Sequence, residues 1–413
     1  MNIPKGLNDL LPGEVLKRRL LENRIRQVFT QWAYQEVITP TFEFYETLAN
    51  GAGTTMKKEM IKFFDRESNI IAFRPEMTTS IARVASTKMQ YMPKPLRFYY
   101  IGNVFRYDNK VGSQREFCQA GVELIGINSS KLDAEVIALA VECLKNSGLK
   151  KFFIDIGHIN FFNGVMQSIK IKEKRKLQTK EAILNKDFVL LEKILSFENI
   201  ENKEKEFILK MPTLRGREEV LEEAEKMISN KLSLSALEEI KKVYTLLRDY
   251  GLEEHILIDL GIIRDFDYYT GIIFEGYTDY LGFPICGGGR YDNLCSKFGE
   301  NLPSTGFAIG LERLIMALER EDINSLNLER PEQYVLYYQN NEDNFRKALA
   351  VAKDLRKKGL IVELEVGKRE FAEVLKYARS KGIKYILILD DNQSNKIKKV
   401  EAVSGKEEII NYE

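Results

Sequence analysis

Two β-rich runs, LRFYYIGNVFRYD and REFCQAGVELIG, are separated by the polar, glycine-containing stretch NKVGSQ. Nothing else in the chain limits the fold as tightly. Aromatic and β-branched runs of this length on either side of a turn-prone stretch predict an antiparallel hairpin with a long loop. Strand alternation then sends Phe105 and Tyr107 to one face and Val104 and Arg106 to the other. An arginine on a largely buried sheet face needs an anion, because an unpaired buried charge costs several kcal/mol. A bound ligand could supply that anion, and so could Glu76, Glu123 or Asp267. The residues by themselves leave both readings open.

Around the hairpin, Leu16, Leu20, Leu21, Ile25, Val28 and Phe29 predict an amphipathic helix over 14–32. YQEVITPTFEFYE reads as one strand with Pro40 near its end, and IAFRPEM as a short strand leading into the helix TTSIARVASTKM. Asp133 is expected to cap the helix AEVIALAVECLKNS, and Gly148 to stop it. The strand KFFIDIGH follows. Over 168–250 the texture turns to highly charged helix, with 18 Lys or Arg against 16 Asp or Glu. That near-neutral balance suits an inserted helical subdomain with a solvated face better than a nucleic-acid surface. HILIDLG, GIIFEGY and STGFAIG resume the strands, and LERLIMALERE closes a core domain expected to span 1–325. After the linker NSLNLERPEQ, strands and helices alternate over 330–413 as in a small α/β domain.

Composition excludes several function classes. The 413 residues carry 62 Lys or Arg against 61 Asp or Glu, so attraction to a polyanion would have to come from a local patch. No run approaches the roughly 18 apolar residues of a membrane span, and the N-terminal stretch has no secretory pattern, so a cytoplasmic protein without a membrane partner is expected. Cys118, Cys143, Cys286 and Cys295 show no CxxC spacing and there are two histidines. Reduced thiols and no metal site are expected.

Two further stretches carry chemistry. GGGRYDNL lets backbone approach closely and then offers Arg290, although such runs are often plain tight turns. In GFAIGLERL, Arg313 sits in the first turn of a helix entered from glycine, where it could meet a phosphate or pair with the neighbours of Glu312.

The order EVITPTFE, FRPEMT, FRYD…REFCQAGVE, RDFDYYTG, GGGRYDNL, GFAIGLERL resembles the class II and histidine motifs of histidyl-tRNA synthetases. The C-terminal unit is similar to that family's anticodon-binding domain. The resemblance implies an α+β fold of the class II aminoacyl-tRNA synthetase type: a six- or seven-stranded antiparallel sheet flanked by helices, dimeric as a rule. It also implies a histidine pocket formed by Glu76, Thr78, Arg106, Gln119, Glu123, Arg264, Tyr268 and Tyr269. Three departures bear on adenylation. Met77 replaces the glycine of Arg-Pro-Glu-Gly-Thr. Ser113 replaces a loop arginine, in a hairpin loop that also has Asp108 and Lys110. Asp265 stands where synthetases have glycine.

With those departures, RPEMTTSIARVA, QREFCQAGVELIG, DAEVIALAVECLKNSGL, IDIGHINFFNG and GGGRYDNL…FG more closely resemble the regulatory subunits of ATP phosphoribosyltransferase. That resemblance implies a subunit with no catalytic residues, no cofactor and no tRNA ligand. It would assemble, as a homodimer within a hetero-oligomer, with a short-form catalytic subunit for the first step of histidine biosynthesis, with histidine as feedback effector. Arg106, Arg115, Arg264 and Arg313 keep an active histidyl-tRNA synthetase as the alternative. A histidine- or RNA-binding paralogue with another partner is a third reading, resting on the reusability of the fold alone.

Overall fold

The computed structural model describes residues 2–107, 114–169, 171–198, 200–263, 268–322, 326, 332–339, 342–367, 369–389 and 396–411. The chain divides into two compact units, Met1–Leu326 and Asn327–Glu413.

The predicted hairpin is the centre of the first unit. Leu96–Phe105 and Glu116–Ile125 pair antiparallel over their full length, from Leu96 opposite Ile125 to Phe105 opposite Glu116. The sheet continues from Glu116–Ile125 through Ser304–Gly310, Cys286–Arg290, Ile272–Tyr277 and Phe153–His158, and each of these junctions is antiparallel. These six strands are the antiparallel sheet the sequence implied. Three short strands carry it to nine among the described residues: Gln35–Glu36 beyond the hairpin, and Ile256–Asp259 then Arg215–Gly216 at the other edge. Gln35–Glu36 and Ile256–Asp259 pair parallel to their neighbours, so the sheet is mixed.

The helix Pro12–Gln31 buries Leu21, Ile25, Val28 and Phe29, one face at the expected spacing. It packs on one side of the sheet with Ser130–Ser147 and Leu311–Glu321 in a continuous apolar cluster. Helices within 173–225 contribute Ala182, Ile183, Leu191, Ile194, Phe207, Ile208 and Leu221 to the same cluster, so this charged stretch is anchored on the main core by a narrow apolar stripe.

Three local readings are corrected. YQEVITPTFEFYE is two strands: Gln35–Glu36 joins the large sheet, while Phe42–Phe44 joins Lys62–Phe64 and Ile70–Phe73 in a three-stranded sheet. Pro40 lies at the break, where a residue without an N–H cannot serve a ladder. The cap of Ser130–Ser147 is Ser129, whose side chain accepts from the Lys131 N–H, and Gly148 ends the helix in the left-handed region as expected. Asp133 is drawn away by Arg290. The run CGGGR is a strand and not a turn. Its glycines let three strands close up: a Cβ on Gly288 would stand 2.1 Å from the Gly306 carbonyl oxygen.

The second unit is a five-stranded sheet in the order Ile361–Leu364, Gln333–Tyr337, Tyr385–Leu389, Lys396–Glu401, Glu407–Asn411. Its first three strands are parallel and the rest antiparallel. Helices Glu342–Lys357 and Phe371–Lys381 contribute to separate apolar clusters.

Candidate functional site

Alternation along Glu116–Ile125 sends Cys118, Ala120, Val122 and Leu124 into the main core. Phe117, Gln119, Gly121 and Glu123 are left for the opposite face. On that face Tyr100, Met77, Ile81, Tyr268 and Tyr291 form a second cluster, with Phe117 and Tyr269 packed at its margin. Two glycines make room there. A Cβ on Gly121 would lie 2.5 Å from the Tyr100 hydroxyl, and one on Gly306 would lie 2.1 Å from Glu123 Oε2.

Two buried carboxylates organise this face, and Thr78 joins them. The strand Ile70–Phe73 delivers the chain through Arg74, Pro75, Glu76 and Met77 into the helix Thr78–Thr87, whose first N–H groups have no helical acceptor. Glu76 supplies one: its carboxylate accepts from the Thr78 N–H at 2.5 Å and the Thr79 N–H at 3.0 Å. The Thr78 hydroxyl donates to Glu123 at 2.7 Å, and the Tyr291 hydroxyl donates to the other oxygen of Glu123. Burial pushes the Glu123 carboxyl up to about 8, opposed by its bonds to Tyr291 and Thr78 and reinforced by Glu76. Burial likewise raises Glu76, against the pull of the helix amides.

The other described residues of the expected set lie on the same face. The rings of Tyr268 and Tyr269 meet at a tilt with centroids 4.9 Å apart, and Tyr268 meets the Tyr291 ring edge-on at 5.7 Å. Gln119 lies opposite Gly102 in the hairpin, and its Oε1 is buried with no hydrogen-bond partner among the described residues, an acceptor open to a donor from elsewhere. Met77 reaches toward the same place, its methyl 3.7 Å from where a Cβ of Gly102 would be. Arg106, just past its strand, donates to the Pro75 carbonyl at 3.0 Å and lies 4.5 Å over the Phe117 ring. Of the carboxylates expected to meet it, Glu76 and Glu123 take the bonds described above from Thr78, Thr79 and Tyr291, and Asp267 lies outside the described residues. The structure thus gathers Glu76, Thr78, Arg106, Gln119, Glu123, Tyr268 and Tyr269 on one sheet face. Arg264, Asp265, Asp267, Asp108, Lys110 and Ser113 lie outside the described residues.

Arg290 does not face this site. Its guanidinium grips Asp133 Oδ2 at 2.9 and 3.0 Å, and also bonds Asp292 and the Ser129 carbonyl. It braces strand to helix. Arg313 donates to the Pro284 carbonyl at 2.8 Å and lies over Phe283. Sequence reasoning missed Tyr100 and Tyr291. Alternation could have found Tyr100, which shares a face with Val104. Tyr291 follows its strand, so no periodicity marks it.

Among the described residues no group of three His, Cys, Asp or Glu side chains is placed to hold a metal ion, and no helix is long and apolar enough to cross a membrane. The arrangement suits a small molecule carrying several hydrogen-bonding groups: acceptors at Glu76, Glu123 and Gln119, hydroxyls at the tyrosines and a cation at Arg106.

Comparison with known proteins gives concordant matches. Residues 6–314 match the family model described as histidyl-tRNA synthetase, and 333–409 that of the anticodon binding domain. The ATP phosphoribosyltransferase regulatory subunit of Halothermothrix orenii is 42% identical over 413 residues, 99% of this chain and 97% of its own. That of Acetivibrio thermocellus is 40% identical over 390 residues, 94% and 92% of the two chains. Among solved structures, an ATP phosphoribosyltransferase regulatory subunit/histidyl-tRNA synthetase from Bacillus halodurans C superposes with TM-score 0.81 at 31% identity, covering 91% and 96%. Histidyl-tRNA synthetase from Nostoc sp. PCC 7120 gives 0.83 at 25%, covering 99% and 96%.

Proposed function

Because the chain belongs to the ATP phosphoribosyltransferase regulatory subunits, a family with the histidyl-tRNA synthetase fold, we propose that it performs no chemistry of its own. It activates a short-form phosphoribosyltransferase and makes it sensitive to histidine. One observation carries this reading: identity near 40% to chains named as regulatory subunits runs through both units. Met77 supports the non-catalytic part. Its methyl lies 3.7 Å from where a Cβ of Gly102 would be, a point that the Arg74 guanidinium approaches to 2.9 Å, so a flexible side chain occupies space at the helix N-terminus that glycine would leave open. The partner brings the phosphate-binding residues and any magnesium.

Mixing the chain with a short phosphoribosyltransferase should yield a hetero-oligomer by mass and restore phosphoribosyl-ATP formation. The chain alone should give no histidine-dependent ATP–pyrophosphate exchange. A lone dimer without effect on the transferase would overturn the reading, and robust exchange would establish the synthetase instead.

The effector is free histidine, bound on the face described above. Its amino group meets Glu76 or the Gln119 carbonyl, its carboxylate meets Arg264 or Arg106, and its imidazole meets Glu123 and the tyrosines. Feedback requires tighter binding to the inhibited assembly, about 1.4 kcal/mol for each tenfold, within reach of one charge-assisted bond. Calorimetry should show histidine binding at least about tenfold weaker in Glu76→Ala and Arg264→Ala. If both variants keep their melting temperatures and bind as wild type does, the inherited pocket is not the sensor.

A further inference from the structure

Tyr100 brings a buried hydroxyl to the carboxylate face and spends it on nothing there. The residue stands on the strand Leu96–Phe105 opposite Gly121 and is 1% exposed. Its hydroxyl makes no hydrogen bond among the described residues, whereas those of Thr78 and Tyr291 both donate to Glu123. Burial, with the charges of Glu123 and Glu76 behind it, pushes the phenol well above its usual range. The hydroxyl keeps its proton and is a donor without an acceptor.

A glycine fixes where that donor stands. A Cβ on Gly121 would meet the Tyr100 hydroxyl oxygen at 2.5 Å, so the hydroxyl fills the place where a side chain of residue 121 would begin. Alternation puts Gln119 and Glu123 on the same face, each two residues from Gly121 and so about 7 Å along the strand. The hydroxyl therefore lies between them. On one side Gln119 Oε1 is buried with no donor among the described residues, and on the other Glu123 accepts from Thr78 and Tyr291. A donor without an acceptor thus neighbours an acceptor without a donor. Buried polar groups are paired as a rule, and two orphans side by side point to a ligand that supplies both partners.

We propose that Tyr100 is a specificity-determining contact of the effector site, its hydroxyl donating to the bare ring nitrogen of a neutral imidazole. This rests on the histidine pocket proposed above and adds the group that reads the ring. A neutral imidazole carries one bare nitrogen and one N–H. The bare nitrogen accepts from Tyr100, the N–H goes to Glu123, and the Gln119 carbonyl is left for the amino group. A ligand whose side chain is a hydrocarbon of similar size offers no acceptor there and would seal the Tyr100 hydroxyl in unpaired. That is how a site built on hydrogen bonds rejects an analogue that lacks them.

The test is Tyr100→Phe in the full chain, which removes one oxygen and keeps the ring. Without ligand its melting temperature should equal or exceed that of wild type, because the lost hydroxyl leaves no partner behind. Calorimetry should then show histidine bound about tenfold or more weaker, the scale of one buried hydrogen bond. With histidine isotopically labelled at its ring nitrogens, magnetic resonance of the saturated complexes should show the bare-nitrogen signal displaced in the variant and the protonated-nitrogen signal nearly in place. A lowered melting temperature would mean that the hydroxyl is bonded within the folded chain. Equal histidine affinity, or an unmoved bare-nitrogen signal, would mean that it does not touch the ring. Any of these results overturns the proposal. Failure of the wild type to bind histidine at all would remove the pocket assignment and this contact with it, whereas wild-type binding that Tyr100→Phe leaves unchanged removes the contact alone.

Discussion

Glu123 is a carboxyl whose proton leaves the unfolded chain near 4.5 but leaves the folded one only at about 8. Between those values the unfolded state binds fewer protons than the native state, so stability falls as pH rises from about 4.5 and the loss is complete above about 8. Asp259, pushed up to about 6 by burial and by Asp155, acts in the same sense, so the pH profile of the wild type alone does not isolate Glu123. Comparison with Glu123→Gln does. Gln keeps the shape, its carbonyl oxygen can accept from one of the two hydroxyls of Thr78 and Tyr291, and its NH2 can donate to the oxygen of the other. Thermal unfolding should show its melting temperature gaining on wild type step by step from pH 5 to pH 8. A constant offset would mean that Glu123 carries its charge in the folded chain.

Strands and helices set that environment by close approach. Ser304–Gly310 comes so near Glu116–Ile125 that a Cβ on Gly306 would meet Glu123 Oε2 at 2.1 Å and the Val122 carbonyl oxygen at 2.4 Å. One of those atoms is backbone in a paired strand and cannot move cheaply. Gly306→Ala should therefore cost about 1–3 kcal/mol, as overpacking does, whereas Gly282→Ala, with open space around its site, should stay within about 0.5 kcal/mol. Urea midpoints of the two variants would show it, and equal midpoints would deny the crowding. The helix Thr78–Thr87 is fixed at both ends, by Glu76 at its start and by the paired contacts of Arg83 with Glu43 at 2.6 and 3.0 Å near its end. Thr78, which bonds both carboxylates, thus sits on a rigid element, as a selective site needs.

Across the whole molecule, the second unit has its own apolar clusters, one built on Tyr334, Leu336, Ala352, Leu355 and Leu387 and another on Val335, Val374 and Ile386. A domain with its own core folds alone. A fragment covering 327–413 should unfold cooperatively on heating, followed by circular dichroism, and 1–326 should keep a separate transition. A non-cooperative melt of the fragment would mean that it borrows its stability.

Local chemistry made much of this legible in the sequence. Alternating apolar residues marked the central strands, a 3.6-residue spacing marked the first helix, and the motif order singled out seven described residues that share one sheet face and that no periodicity would group. Other features depended on partners distant in sequence. Asp133 looks like a cap until Arg290, 157 residues away, arrives with a stronger charge-assisted bond, and the glycines after Cys286 look like a turn until strands crowd them on both sides. Tyr291 acquires its meaning only because its hydroxyl reaches Glu123. Periodicity and capping are properties of a few consecutive residues, so the sequence determined the elements and the order of its motifs. Burial, close approach and the partner of each charge arise between segments far apart in the sequence, and only the tertiary structure decided them.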